Sequence, residues 1–181
     1  AQILGGSFDI VSEPGKGSRF SIMLPWEPAL AVDTVERLKT TGKFKAVKFN
    51  QDQKPTILLI EDTEEVIMML SDYLELNGFK IITARDGLEG ITQAQLTHPD
   101  LILMDIQMPR MDGFETAKKL RSEPEFKTTP IIALTALAMQ NDRERCLAAG
   151  MDEYITKPVH LRALVKMIEL FLSGEAEVKK P

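Results

Sequence analysis

Cysteine is almost missing from the chain: Cys146 is the only one among 181 residues. No internal disulfide can close and no cysteine-built zinc site can form, which accords with a reducing, cytoplasmic setting. Aromatic residues are scarce at 6%, with one Trp and two Tyr, and no basic patch accompanies them as it would on a nucleic-acid surface. Long apolar stretches are lacking too. Ile57–Ile60 and Leu101–Met104 typify the runs present, far short of the roughly 20 residues that cross a bilayer, so no membrane contact is expected. The chain opens Ala1-Gln2-Ile3 without an initiator Met, and the expectation is a fragment of a longer parent, which is itself free to be membrane-anchored.

What is there is an ordinary globular composition, 44% apolar and 27% charged with 11 Gly and 10 Pro, which excludes fibrous, disulfide-stapled and disordered classes. The length suits one domain with a shorter addition. Charge is uneven. The net value is -5, yet residues 56–181 hold 14 Lys plus Arg against 21 Asp plus Glu, while residues 28–55 hold 6 basic against 3 acidic residues. An acidic body argues against nucleic acid as partner, because phosphate backbones need a positive footprint. The Lys-rich stretch 28–55 reads as a linker, with a short helix over 29–39.

From Pro55 onward, short apolar runs alternate with segments of helical period, the pattern of a parallel sheet with crossover helices. Strands are expected at 56–60, 80–84, 100–104, 130–134 and 153–156. Val66, Leu70 and Leu74 share one helical face, and Leu161, Leu164, Val165, Ile168 and Leu172 form another stripe. Gly78, Gly150 and Gly174 stand where helices should end. The fold class is α/β: a flavodoxin-like, doubly wound five-stranded parallel sheet of order 2-1-3-4-5 with helices on both faces. Residues 1–27 read as a hairpin, strands near 7–12 and 18–24 joined through Glu13-Pro14-Gly15-Lys16-Gly17. The domains are thus 1–27, the linker 28–55, the main domain 56–173 and a tail 174–181.

Ligands of open α/β sheets collect at the carboxyl ends of the strands. There the sequence places Glu61-Asp62, Asp105, Thr135 and Lys157-Pro158. With the first and third strands adjacent, three carboxylates converge, and they stay ionised together only if a cation neutralises them. A hard divalent ion, Mg2+ or Mn2+, fits oxygen donors: Asp62 and Asp105 directly, Glu61 through water, and the Gln107 backbone carbonyl. A metal and Lys157 together suit phosphoryl transfer, with Asp105 as the nucleophile and the Thr135 hydroxyl donating to a phosphoryl oxygen.

These residues sit in ILLIED (57–62), LILMDIQMPRMDG (101–113), IIALTA (131–136) and EYITKP (153–158), and residues 56–173 resemble the receiver domain of two-component response regulators and hybrid histidine kinases. The resemblance implies a phosphoacceptor at Asp105, metal binding by Glu61, Asp62 and the Gln107 carbonyl, a switch at Thr135 with Tyr154, phosphate contact by Lys157 and a cis bond before Pro158. It implies as partner a phosphohistidine-bearing kinase dimerisation domain or histidine phosphotransfer protein. The output face would be the fourth helix, fifth strand and fifth helix, which is also where a second copy would pack weakly. GGSFDIVSEPGKGSRFSIMLP (5–25) resembles the last hairpin of a histidine-kinase ATP-binding domain. Too little of that domain is present to bind ATP, so any catalysis by the chain concerns its own phosphorylation and dephosphorylation. Together the pieces read as part of a hybrid sensor histidine kinase.

The ordinary readings stay beside these. Glu64 and Glu65 are acids that favour a helix start; Cys146 is core; His98 and His160 are surface residues; Met68 and Met69 fill gaps or dock a partner helix. An aspartyl-nucleophile phosphohydrolase would want an acid at Gln107, and a flavin carrier would not place Glu61-Asp62 at a phosphate loop. A phosphorylation-independent interaction module on this fold would have lost Asp62, Asp105 or Lys157, and all three are present. Leu137, two past Thr135, is unsuited to orienting a hydrolytic water, so slow dephosphorylation is expected.

Overall fold

Successive residues of a strand face opposite ways, so a run that is apolar throughout must be covered on both sides. The computed structural model describes residues 7–13, 17–23, 54–136 and 140–173. The expected 29–39 helix, the Gly174 cap, the tail from 174 and Leu137 lie outside the described residues. The chain divides into two units, residues 1–30 and 31–181. In the first, β1 (Ser7–Glu13) pairs antiparallel with β2 (Gly17–Met23), Ser7 opposite Met23 and Glu13 opposite Gly17.

In the second unit the order is β3 (Thr56–Ile60), α1 (Glu64–Leu76), β4 (Lys80–Ala84), α2 (Gly87–Thr97), β5 (Leu101–Asp105), α3 (Gly113–Ser122), β6 (Ile131–Thr135), α4 (Gln140–Ala148), β7 (Glu153–Thr156) and α5 (Leu161–Ser173). The five strands form one parallel sheet, β4-β3-β5-β6-β7, which is the 2-1-3-4-5 order within this unit. Two strands run one residue later than their expected spans of 100–104 and 130–134. Pro130 has no N–H for the ladder, although its carbonyl accepts from the Ile102 N–H at 2.8 Å. At the other end the Ile106 N–H donates to the Leu134 carbonyl and the Lys157 N–H to that of Thr135, at 3.2 and 2.7 Å. Asp105 and Thr135 are therefore the last residues of their strands.

Alternation splits the core in two. Ile57, Leu59, Leu101, Leu103, Ile132 and Leu134 face α1 and α5; Leu58, Ile60, Ile102, Met104 and Ala133 face the side holding Ala94 of α2, Ala117 and Leu120 of α3, and Cys146 of α4. On α5 the expected stripe is buried except for the half-buried Leu161, and Met167 and Phe171 join it. On α1, Leu70 and Leu74 are buried with Ile67, while Met68 and Met69 are 59% and 45% exposed, so gap filling is not their role. Gly78 and Gly150 take φ of 91° and 92°, the left-handed region expected of helix-ending glycines.

One polar network sits within this apolar frame. Arg121, in the last turn of α3, donates from Nε to the Gly150 carbonyl (2.7 Å) and from its guanidinium to the carbonyls of Phe126 and Thr129. Its Nη2 also meets Asp152 Oδ2 at 2.6 Å, and Asp152 accepts from the Ile131 N–H at 2.8 Å. A side chain at Gly150 would strike Arg121 Cγ at 2.7 Å. Burial pulls the Arg121 guanidinium pKa down further than the charge and hydrogen bond of Asp152 restore it, the mark of a cation that needs its partners. Asp152→Ala should cost about 2–4 kcal/mol in urea unfolding, because it strands a mostly buried charge, whereas Asp152→Asn should cost less.

Candidate functional site

The strand ends carry the acids to one place. Glu61 follows β3 and is fully buried, Asp105 closes β5 at 5% exposed, and Asp62 is exposed beside them. One oxygen from each of the three carboxylates lies within 4.8 Å of the others. Register explains the convergence: β3 pairs with both β4 and β5, so the loops after β3 and β5 are neighbours.

Lys157, just beyond β7, answers part of this charge. Its Nζ lies 2.7 Å from Glu61 Oε2 and 3.1 Å from Asp105 Oδ2. Burial favours its neutral form, but hydrogen bonds to Glu61 and Asp105 and their charges outweigh that, so its pKa rises above the ordinary lysine value. Three carboxylates against one ammonium leave the pocket anionic, and its all-oxygen donor set fits a hard divalent cation such as Mg2+ or Mn2+. Glu61 is already engaged, Oε1 accepting from the Thr63 N–H at 3.3 Å and Oε2 from Lys157. Asp105 gives only Oδ2 to Lys157, so Asp62 and Asp105 are the better placed to touch a cation and Glu61 to act at one remove.

Of the other expected residues, Thr135, Gln107 and Pro158 lie at the same end of the sheet, whereas Tyr154 sits further back in its strand. Thr135 is 1% exposed at the end of β6. Gln107 is exposed in the loop after β5, between the buried Ile106 and Met108. Tyr154, half-buried in β7 beside Ala133, packs on the second core. The Lys157–Pro158 bond is cis, as the resemblance implied. Gly113 is where α3 touches the site: a Cβ there would strike the Asp105 carbonyl oxygen. Asp112 caps α3, accepting from the Glu115 N–H at 2.8 Å.

Sequence reasoning missed two residues here. Asp86 is a fully buried carboxylate capping α2, accepting from the N–H groups of Leu88 and Glu89 at 2.8 and 2.9 Å. Arg110, in the β5–α3 loop, forms an ion pair with it. The Asp86-Gly87-Leu88-Glu89 start is a legible capping signal; its partner across two loops is not.

Comparisons with known proteins bear on the same segment. The response regulator receiver domain family matches residues 57–169. The polar-differentiation response regulator DivK of Brucella ovis is 39% identical over 121 residues, 67% of this chain and 98% of the relative. The receiver domain of a signal transduction histidine kinase from Syntrophus aciditrophicus is 37% identical with TM-score 0.62, covering 66% of this chain and 91% of that one. A sensor histidine kinase receiver domain from Pseudomonas aeruginosa, described with a magnesium ion coordinated in its active site cleft, is 33% identical with TM-score 0.62, covering 66% and 98%.

Proposed function

This chain belongs to the response regulator receiver domain family, and on that footing we propose that Asp105 accepts a phosphoryl group from a phosphohistidine with magnesium present. The observation that carries this reading is the meeting of Glu61, Asp62 and Asp105 within 4.8 Å, with Lys157 bridging two of them. An Asp105 carboxylate oxygen attacks phosphorus in line; the new O–P bond forms as the P–N bond to the donor imidazole breaks, and the imidazole keeps that electron pair. Lys157 holds a positive charge against the oxygens on which negative charge gathers, and the Thr135 hydroxyl donates to one of them once the group is in place. Asp62, Asp105 and the Gln107 carbonyl would hold magnesium, with Glu61 at one remove, and the ion would supply charge neutralisation for the phosphoryl oxygens.

The output follows from added charge. Thr135 closing on the phosphoryl group would draw on the chain entering α4, with Tyr154 swinging inward, and α4, β7 and α5 would present a changed face to a partner or weakly to a second copy. The chain organises as a kinase hairpin (1–27), linker (28–55), receiver (56–173) and tail (174–181) from a hybrid sensor kinase. The paired β1 and β2 and the likeness to kinase receiver domains support that context. No helix among the described residues is long and apolar enough to cross a membrane.

The test is transfer from a phosphohistidine-bearing kinase dimerisation domain or phosphotransfer protein, followed by intact mass. Label should reach this chain with magnesium and fail to reach it with chelator; equal labelling in both would overturn the reading.

A further inference from the structure

Arg110 takes φ of 66°, a left-handed backbone that residues with a side chain enter at a cost. Its guanidinium pairs with Asp86 Oδ2, while Oδ1 of the same buried carboxylate caps α2. The contact is built closely around these residues. A Cβ on Gly87 would meet Met111 Cγ and the Met111 carbonyl oxygen at 3.0 Å, and Thr116 Oγ1 closer still. The neighbouring Arg85 reaches the start of α1, its Nη2 lying 2.5 Å from Glu64 Oε2, two residues beyond Asp62. That second pair is exposed on both sides and contributes less, since water screens it.

The dipeptide Arg85-Asp86 therefore joins the start of α1, two residues after Asp62, to the loop between Asp105 and α3 that carries Gln107 and Arg110. We propose that Arg110 is a positioning residue: its ion pair with Asp86 fixes the loop after β5 against the start of α2 and so sets the spacing of the cation-binding oxygens. This rests on the reading that the acids take magnesium. Arg110 touches neither the cation nor the phosphoryl group; it acts through the backbone that carries them.

Two substitutions separate this role from simple stability. Arg110→Gly removes the guanidinium but suits the left-handed backbone, and Asp86→Asn keeps a capping oxygen while discarding the charge. On the full chain, calorimetric titration with magnesium should show each weakening binding about tenfold, the low end of what losing a supporting contact costs a metal site. Arg110→Gly relieves the left-handed backbone but leaves the buried Asp86 without its partner, so its metal-free unfolding midpoint should fall modestly; the double variant should bind no more weakly than the worse single one, and Arg110→Lys should recover part of the loss. Magnesium affinity of Arg110→Gly equal to that of the unsubstituted chain would overturn the proposal, as would a lowered midpoint at unchanged affinity or losses that add in the double variant. Failure of the unsubstituted chain to bind magnesium would instead overturn the reading of the acid cluster, and the proposal with it.

Discussion

Incubated with acetyl phosphate and magnesium, Asp105→Asn should keep its original intact mass while the unsubstituted chain gains one phosphoryl group. An uncharged carboxamide cannot form the acyl phosphate, and neither Glu61, fully buried and hydrogen-bonded through both oxygens, nor the solvent-facing Asp62 stands in its place. The substitution has a second readout. At about a hundred times its dissociation constant a ligand stabilises the folded state by about 2.7 kcal/mol, on the order of 5–10 °C in melting temperature for a domain of this size. With one carboxylate gone the magnesium-induced shift should fall to about half or less, and the metal-free protein should melt no lower, since like-charge repulsion has been relieved. Retained modification would place the acceptor elsewhere.

Lys157→Met should slow phosphorylation by about 10²- to 10³-fold, the usual cost of losing one charge-stabilising donor. It also strands Glu61, fully buried with its ammonium partner removed. Breaking a fully buried pair costs about 3–5 kcal/mol, and because Lys157 is 25% exposed a loss of about 1–3 kcal/mol in metal-free urea unfolding is expected. Magnesium should stabilise this variant more than the unsubstituted chain, because the missing positive charge is what it restores. The pH dependence separates the two proteins. Lys157 has its pKa raised on folding, so its stabilisation is complete below the unfolded lysine value of about 10.4 and is lost as pH climbs through the higher folded value. Unfolding midpoints between neutrality and strong alkali should show that alkaline loss in the unsubstituted chain and a shallower one in Lys157→Met.

The sheet was legible where residues announce burial on both faces. Ile57–Ile60, Leu101–Met104 and Ile131–Leu134 are apolar throughout and fully buried, and the polar residues following them mark where a parallel sheet collects ligands. Strand ends were harder, because Asp105 and Thr135, polar candidate site residues, are nonetheless held in the ladder. Helix faces were half legible: the i, i+4 stripe finds Leu70 and Leu74, and Val66 packs partly buried against the same core, but the stripe does not show that Ile67 is buried beside them. Least legible were the charged pairs. Arg121 with Asp152 and Arg110 with Asp86 join loops distant in sequence, and an arginine on a polar helix face looks the same whether it reaches solvent or four protein oxygens.

Arg121 and Asp152 lie where β6 and β7 begin, whereas the carboxylates and Lys157 lie where the strands finish. The molecule is cinched at its base and electrically loaded at its rim. The base and the rim share no residue, so a change of charge at the rim removes none of the bonds that Arg121 makes. Gly150, which follows α4, is held at the base as well, its carbonyl accepting from Arg121.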